Sequence, residues 1–161
     1  MNISFRLSKK EDGDELIRWL DSPEVLRNFP MHNMYEIKDA VNIWLSYIQL
    51  NASISCEVDG KLAGMSVLYL QLFEKLKHQC LFAIITSPEC RGKGVGSKLL
   101  EYTLNHAKET LHLEKVHLEV YEGNPAFRLY ERSGFIEYGK HTHFLKDGEE
   151  YITKIVMEKE L

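Results

Sequence analysis

The sequence has few cysteines and no long apolar segment, and each shortage excludes a class of protein. Only three cysteines occur among 161 residues, Cys56, Cys80 and Cys90, and none belongs to a C-x-x-C pair. An odd and scattered set of cysteines argues against a disulfide framework or a zinc site, so we expect no metal and a reducing, cytoplasmic location. No apolar run approaches the roughly 18 residues of a membrane span, and the first residues lack the apolar core of a signal peptide.

The sequence also lacks an excess of positive charge. Its 20 basic and 24 acidic residues give a formal net charge of −4, which argues against a nucleic-acid partner. Hydrophobic residues make up 44% and charged residues 27%, the usual balance of a globular protein. Since no repeat or flexible linker interrupts the 161 residues, we expect one domain over 1–161.

The most informative stretch is residues 84–100, which read IITSPECRGKGVGSKLL. An apolar run stops at Ser87-Pro88, a glycine-rich loop follows, and a helical pattern then begins. A helix that starts in such a loop directs unpaired N–H groups and partial positive charge at whatever lies in front of it. The stretch therefore predicts a pyrophosphate cradle made by Arg91, Gly92, Lys93, Gly94, Val95, Gly96 and Ser97.

Two familiar phosphate loops do not fit this stretch. A P-loop needs Lys-Ser/Thr directly after its last glycine, but Gly96 is followed by Ser97-Lys98. The dinucleotide pattern G-x-G-x-x-G does not fit glycines at 92, 94 and 96 either. A glycine-rich turn without any ligand remains an alternative for this stretch taken alone.

Hydrophobic periodicity along the chain predicts the element order β-α-α-β-β-β-α-β-α-β-β. The strands are predicted near residues 2–7, 53–58, 61–73, 79–86, 115–121, 134–144 and 151–157, and Ser8 with Glu11 suggests a capping box for the first helix. The nearly continuous apolar run at 79–86 is typical of a central strand. This order indicates an α/β or α+β domain with a mixed sheet.

A second segment, NPAFRLYERSGF at 124–135, extends the interpretation. Together with R-x-x-G-x-G at Arg91, Gly94 and Gly96, it resembles the GNAT superfamily of N-acetyltransferases. The resemblance covers roughly residues 53–157, and WLDSP at 19–23 also looks like members that acetylate ribosomal proteins, polyamines or similar amines. It implies a mixed, mostly antiparallel sheet of about seven strands, flanked by helices and splayed at its central strands, with acetyl-CoA as co-substrate in the gap.

The resemblance also implies roles for individual residues. The backbone of Ile84, Ile85 and Thr86 would pair with the pantetheine arm, and Asn124, Ala126 and Phe127 would lie along it. Tyr130 would be the general acid, because a phenol with a pKa near 10 is protonated at neutral pH. The alternative is a tyrosine that only packs on the core beside Phe135.

The general base is the least determined role. His78 precedes Arg91 by 13 residues (91 − 78 = 13), near the offset of a catalytic glutamate in some members, and histidine titrates near neutrality. Glu119 and Glu57 are rivals, as is a water chain with no single base. His141 and His143 are too isolated to indicate a metal site.

The expected function is therefore N-acetyl transfer from acetyl-CoA to a primary amine by direct transfer in a ternary complex. The alternative is a non-catalytic module that senses acyl-CoA. The acceptor could be a protein N-terminus, a lysine or a small amine, and residues 31–36 and 141–146 would shape its pocket. A homodimer through the last strands is compatible with the sequence.

Overall fold

One seven-stranded sheet runs through the computed structural model, which describes all residues, 1–161. The strands are β1 Ile3–Leu7, β2 Ser53–Val58, β3 Lys61–Leu70, β4 Gln79–Thr86, β5 Lys115–Tyr121, β6 Ile136–Asp147 and β7 Glu150–Glu160. Their spatial order is β1-β2-β3-β4-β5-β7-β6, and only β4 and β5 are parallel. The predicted mixed, mostly antiparallel sheet is confirmed.

Five helices flank the sheet. They are α1 Asp12–Leu20, α2 Pro23–Leu26, α3 Met34–Ser46, α4 Val95–Glu109 and α5 Ala126–Arg132, with short 3₁₀ turns at Tyr47–Leu50, Glu74–Leu76 and Pro88–Cys90. The observed order has one helix more than the predicted order, because the short segment Pro23–Leu26 forms a helix of its own. None of these helices combines the length and apolarity needed to cross a membrane.

The start of α1 differs from the predicted capping box. The helix begins at Asp12, whose carboxylate accepts a hydrogen bond of 2.8 Å from the Lys9 N–H. The Ser8 hydroxyl is buried instead against Ser53, 2.8 Å away. The prediction was wrong because Ser8 belongs to a buried polar network rather than to the helix.

The two faces of the sheet are covered by different helices. Helices α4 and α5 pack on one face, where Leu100 and Tyr130 join the larger core cluster. Helices α1 and α3 pack on the other face, around Trp19 and Trp44. Gly13 lets α1 approach α3 closely, since a Cβ at this position would lie 2.7 Å from a methyl carbon of Leu45.

The sheet opens at its centre. The parallel ladder between β4 and β5 runs only from Gln79–Lys115 to Phe82–Leu118. Beyond it, β4 stays paired with β3 as far as Thr86, and β5 stays paired with β7 as far as Tyr121. The facing edges of residues 83–86 and 119–121 therefore have no strand partner and border a gap.

Candidate active site

A cleft of about 560 Å³ occupies this gap. Its walls come from residues 82–86 of β4, the glycine loop and first turn of α4, residues 119–120 of β5, and residues of α5. The glycine loop lies at the carboxyl end of β4, where open α/β sheets commonly hold their ligands. The fold thus brings the two sequence segments of interest to one place.

The loop before α4 presents unpaired backbone N–H groups to open space. Gly94 is the residue before the helix and has φ +78°, a left-handed conformation that favours glycine. The first helical hydrogen bond runs from the Lys98 N–H to the Gly94 carbonyl at 3.2 Å, so the N–H groups of residues 95–97 have no helical partner. A Cβ added to Gly92 or Gly94 would meet no atom within 4 Å, so the space above the loop is open.

The two cations of the loop differ in placement. Arg91 lines the cleft, and its guanidinium pairs with Glu24 of α2. Lys93 is exposed and does not line the cleft. Any contact of Arg91 with an anionic ligand therefore competes with an existing ion pair.

The predicted pantetheine strand and the α5 segment face each other across the gap. Ile84, Ile85 and Thr86 all line the cleft, as do Asn124 and Ala126. The Asn124 side-chain oxygen accepts a 2.9 Å hydrogen bond from the Ala126 N–H, which leaves its amide NH₂ group without a protein partner.

Phe127 packs against the larger core cluster and does not reach the cleft. Ala126, Leu129 and Tyr130 of the same helix line the cleft, because α5 turns successive side chains in different directions. Among the predicted cofactor residues, Lys93 and Phe127 are therefore the two that the structure does not bring to the cleft wall.

Tyr130 is both packed and open to the cleft. Its ring meets Phe135 edge-on with centroids 5.8 Å apart, and the residue is only 7% exposed. Its hydroxyl makes no hydrogen bond within the protein, yet it is not among the fully buried unpartnered atoms, and the residue lines the cleft. Burial raises the pKa of the Tyr130 phenol, which keeps it protonated.

The structure places the three candidates for the general base at different distances from the cleft. His78 is exposed just before the amino end of β4, whereas the cleft lies at the carboxyl end, so the structure does not bring His78 to it. Glu57 is on β2 and pairs with Arg6 at 2.7 Å. Glu119 is the acidic side chain that lines the cleft, opposite the unpaired edge of β4.

Several cleft residues were not anticipated from the sequence. Val25, Asn28 and Phe29 close the cleft from the side of α2, and Arg132 lies at the end of α5. No local pattern identified the first three, because they reach the cleft only through the placement of α2, whose Glu24 pairs with Arg91 of the glycine loop. A second cavity of about 230 Å³ shares Phe29 with the cleft.

The second cavity is lined by both segments that were expected to shape an acceptor pocket. Met31 and His32 come from one segment, and Leu145 and Lys146 come from the other. His141 and His143 are not in its wall, and their rings pack on Phe144 and Tyr151 respectively.

Comparisons with known proteins agree with this geometry. A model of the acetyltransferase (GNAT) family matches residues 14–135. The chain is 29% identical over 143 residues to a spermidine N(1)-acetyltransferase of Vibrio cholerae, covering 86% of this chain and 83% of that protein. It is 29% identical over 160 residues to an N-alpha-acetyltransferase of Sulfolobus acidocaldarius, covering 93% and 89%.

The fold also recurs in solved structures. One from Salmonella typhimurium, described as an acetyltransferase with its cofactor acetyl-CoA, superposes with a TM-score of 0.83 at 15% identity, covering 99% of this chain and 94% of the other. The family model spans most of the chain, including the glycine loop and the segment of Tyr130. This protein is therefore an N-acetyltransferase enzyme that belongs to the GNAT family.

Proposed function

We propose that this enzyme transfers the acetyl group of acetyl-CoA directly to a primary amine in a ternary complex. The observation that carries the proposal is one continuous cleft, which runs from the backbone cradle at Gly94 to Glu119 and Tyr130. Family membership supports acetyl transfer, and the Salmonella neighbour described with acetyl-CoA supports that donor.

The residues present fit acetyl-CoA. The free N–H groups of residues 95–97 and the open space above Gly92 and Gly94 suit a diphosphate. The unpaired backbone edge of residues 83–86 suits the amides of a pantetheine arm, which would hydrogen-bond as a strand does. Asn124 faces this edge with a free amide NH₂ group. When bound, acetyl-CoA supplies a thioester as the acyl donor.

Two side chains would move the protons of the reaction. Glu119 would accept the proton that the amine loses as its nitrogen bonds to the acetyl carbon. Tyr130 would donate its proton to the departing sulfur, because its buried phenol stays protonated. A free N–H on the exposed edge of β4 would hydrogen-bond to the acetyl oxygen as negative charge develops there.

The acceptor amine is proposed only as a chemical class. Relatives are named for acetylating spermidine and for N-alpha acetylation, which supports an amine acceptor. The second cavity behind Phe29 has room for part of an acceptor beyond its amine. A cytoplasmic location and a homodimer remain predictions from the sequence.

Thiol release from acetyl-CoA across a panel of amines tests the proposal. The panel holds spermidine, peptides with free N-termini, lysine peptides with blocked N-termini, and free amino acids, and mass spectrometry identifies the acetylated product. We expect turnover with one of these classes. Tight binding of acetyl-CoA without turnover on any amine would instead favour an acyl-CoA sensor.

A further inference from the structure

The side chain of Lys154, on β7, is held at two points beside the cleft. Its Nζ lies 3.1 Å from Oε1 of Glu119 and 3.8 Å from the centroid of the Phe144 ring. The Lys154 side chain is only 13% exposed, unlike an ordinary surface lysine. A long flexible cation is thus fixed between a carboxylate and an aromatic face.

An irregularity of the β6–β7 hairpin creates this arrangement. The strand register passes from His141–Lys154 to Leu145–Ile152, so residues 142–144 of β6 face a single residue of β7. His143 has φ +54° within this bulge. The extra residues bring Phe144 over Lys154, and they interrupt a ladder that would otherwise continue without a break.

The ring beneath the ammonium is itself supported from two sides. The centroids of Tyr121 and His141 lie 6.3 Å and 5.1 Å from that of Phe144. Tyr121 is buried at the end of β5, two residues from Glu119. The support therefore runs from the hairpin bulge through Phe144 and Lys154 to the carboxylate in the cleft.

We infer that Lys154 is a positioning residue that fixes the Glu119 carboxylate for proton transfer. The inference rests on the proposed function, in which Glu119 is the base. It assigns a role in catalysis to a side chain that does not line the cleft. It also gives the β6 bulge a function, which is to place Phe144 against Lys154.

Glu119 needs such support because of its location. Its side chain is 43% exposed, and it lies beyond Phe82–Leu118, where β4 no longer stands next to β5. A glutamate in that position has several accessible rotamers, whereas a base must lie within hydrogen-bond reach of the amine. Lys154 engages Oε1 alone, and no hydrogen bond within the protein engages Oε2, so the second oxygen stays free to accept the proton.

The same pair of strands contains a matched control. Lys115 of β5 pairs with Glu158 of β7 at 3.2 Å, at the opposite end of the ladder from the cleft. Like Lys154, Lys115 is paired with glutamate across neighbouring strands, with Glu160 as a second partner at 3.0 Å, but no cation–π contact involves Lys115. Removing its charge should perturb the ladder to a similar degree without disturbing Glu119.

The test compares K154M, K154R, E119Q, the double variant E119Q/K154M, and K115M with the intact enzyme. We expect K154M to lower kcat about 10-fold while the KM for acetyl-CoA changes less than about 2-fold, because a misplaced base affects the chemical step. K154R should retain most of the activity, since arginine keeps the charge and stacks on aromatic rings. K115M should keep wild-type kcat.

The double variant shows whether Lys154 acts through Glu119. If it does, adding K154M to E119Q causes no further loss, because residues that act as a unit are not additive. A wild-type kcat in K154M, or a full additional loss in the double variant, would overturn the positioning role while leaving the base assignment intact. Unchanged activity in E119Q would instead refute Glu119 as the base, and the positioning role would fall with it.

Discussion

The two ends of the cleft are built from different parts of the chain. At the proposed phosphate end, the groups available to a ligand are backbone N–H groups of the glycine loop and of α4, which has a fully buried row at Val95 and Leu99. At the proposed reacting end, the groups that line the cleft are the side chains of Glu119 and Tyr130, which come from β5 and α5. The first end depends on backbone conformation, and the second depends on side-chain rotamers and their supports.

The two ends of the cleft therefore differ in how specific their chemistry is. A cradle of backbone groups recognises any diphosphate of the right shape and tolerates changes in the side chains around it. A pair of proton-transfer groups has to be placed against one reacting atom, so each needs neighbours that fix it. Variants at the two ends should therefore fail in different kinetic parameters.

The largest effect should come from Y130F, which removes only the hydroxyl. We expect kcat to fall about 100-fold, at the lower end of what general acid catalysis contributes, while binding of acetyl-CoA stays unchanged. Thiol release and calorimetric titration measure the two quantities. Y69F, at a tyrosine outside the cleft wall whose ring meets Tyr47 edge-on with centroids 5.2 Å apart, is the control and should keep its activity. Equal losses in both variants would assign Tyr130 a packing role alone.

A smaller effect on a different parameter is expected from G94A. Forcing alanine to a φ of +78° costs about 1–2 kcal/mol, and its methyl group would enter the space above the loop. We expect the Kd for acetyl-CoA to rise about 10-fold. G60A is matched, since Gly60 has φ +81° and equally open surroundings in the β2–β3 hairpin. It should lower the melting temperature without changing the Kd, and a shift in Kd for G60A would contradict this explanation.

Substitutions at the Arg91–Glu24 ion pair should have opposite signs. R91A removes a cation from the phosphate end and should weaken acetyl-CoA binding about 3-fold, a modest effect because the backbone cradle remains. E24Q frees Arg91 from its partner and should strengthen binding to a similar degree. Calorimetric titration at two salt concentrations measures both, with K77A as the control, since Lys77 pairs with Glu74 away from the cleft. Weaker binding in both variants would show that the pair stabilises the loop instead.

The smallest effect on activity is expected at the start of α1, away from both ends of the cleft. Burial alone would raise the pKa of Asp12, but hydrogen bonds from Arg6, Lys9 and Ser55 outweigh burial and lower that pKa. A lowered pKa in the folded protein stabilises it above about pH 4, where the unfolded carboxyl is also ionised, and this contribution is lost as the pH falls through the folded pKa.

D12N should therefore be less stable at pH 7 and show a flatter decline in stability between about pH 5 and pH 3. Urea unfolding at each pH measures this decline. D14N is the control, because Asp14 is in the same helical turn and makes no ion pair. A D12N protein whose stability falls with acid as steeply as the wild type would show that other carboxylates govern acid unfolding.

The sequence anticipated elements whose signals are local. β2, β4 and β5 have the predicted bounds, because each is an apolar pattern enclosed by turn residues. The glycine loop was recognisable because positive φ values demand glycine. These signals lie within a few residues of one another.

Features that depend on packing between distant segments could not be predicted from the sequence. His78 and Glu119 are both polar residues at or next to strands, and only the divergence of β4 from β5 determines which of them faces the cleft. Phe29 closes the cleft through the placement of α2, which no periodicity encodes. The bulge that brings Phe144 to Lys154 likewise appears only once β6 is paired with β7.

The short ladder between β4 and β5 also determines how few hydrogen-bonded residues join the two halves of the sheet. Four residue pairs join the half that contains β1–β4 to the half that contains β5–β7. A ligand arm that hydrogen-bonds within the gap would act as an eighth, short strand. It would add contacts between the two halves where the β4–β5 ladder has ended. Occupancy of the cleft would also raise the free energy of unfolding, because a ligand that binds only the folded state stabilises it.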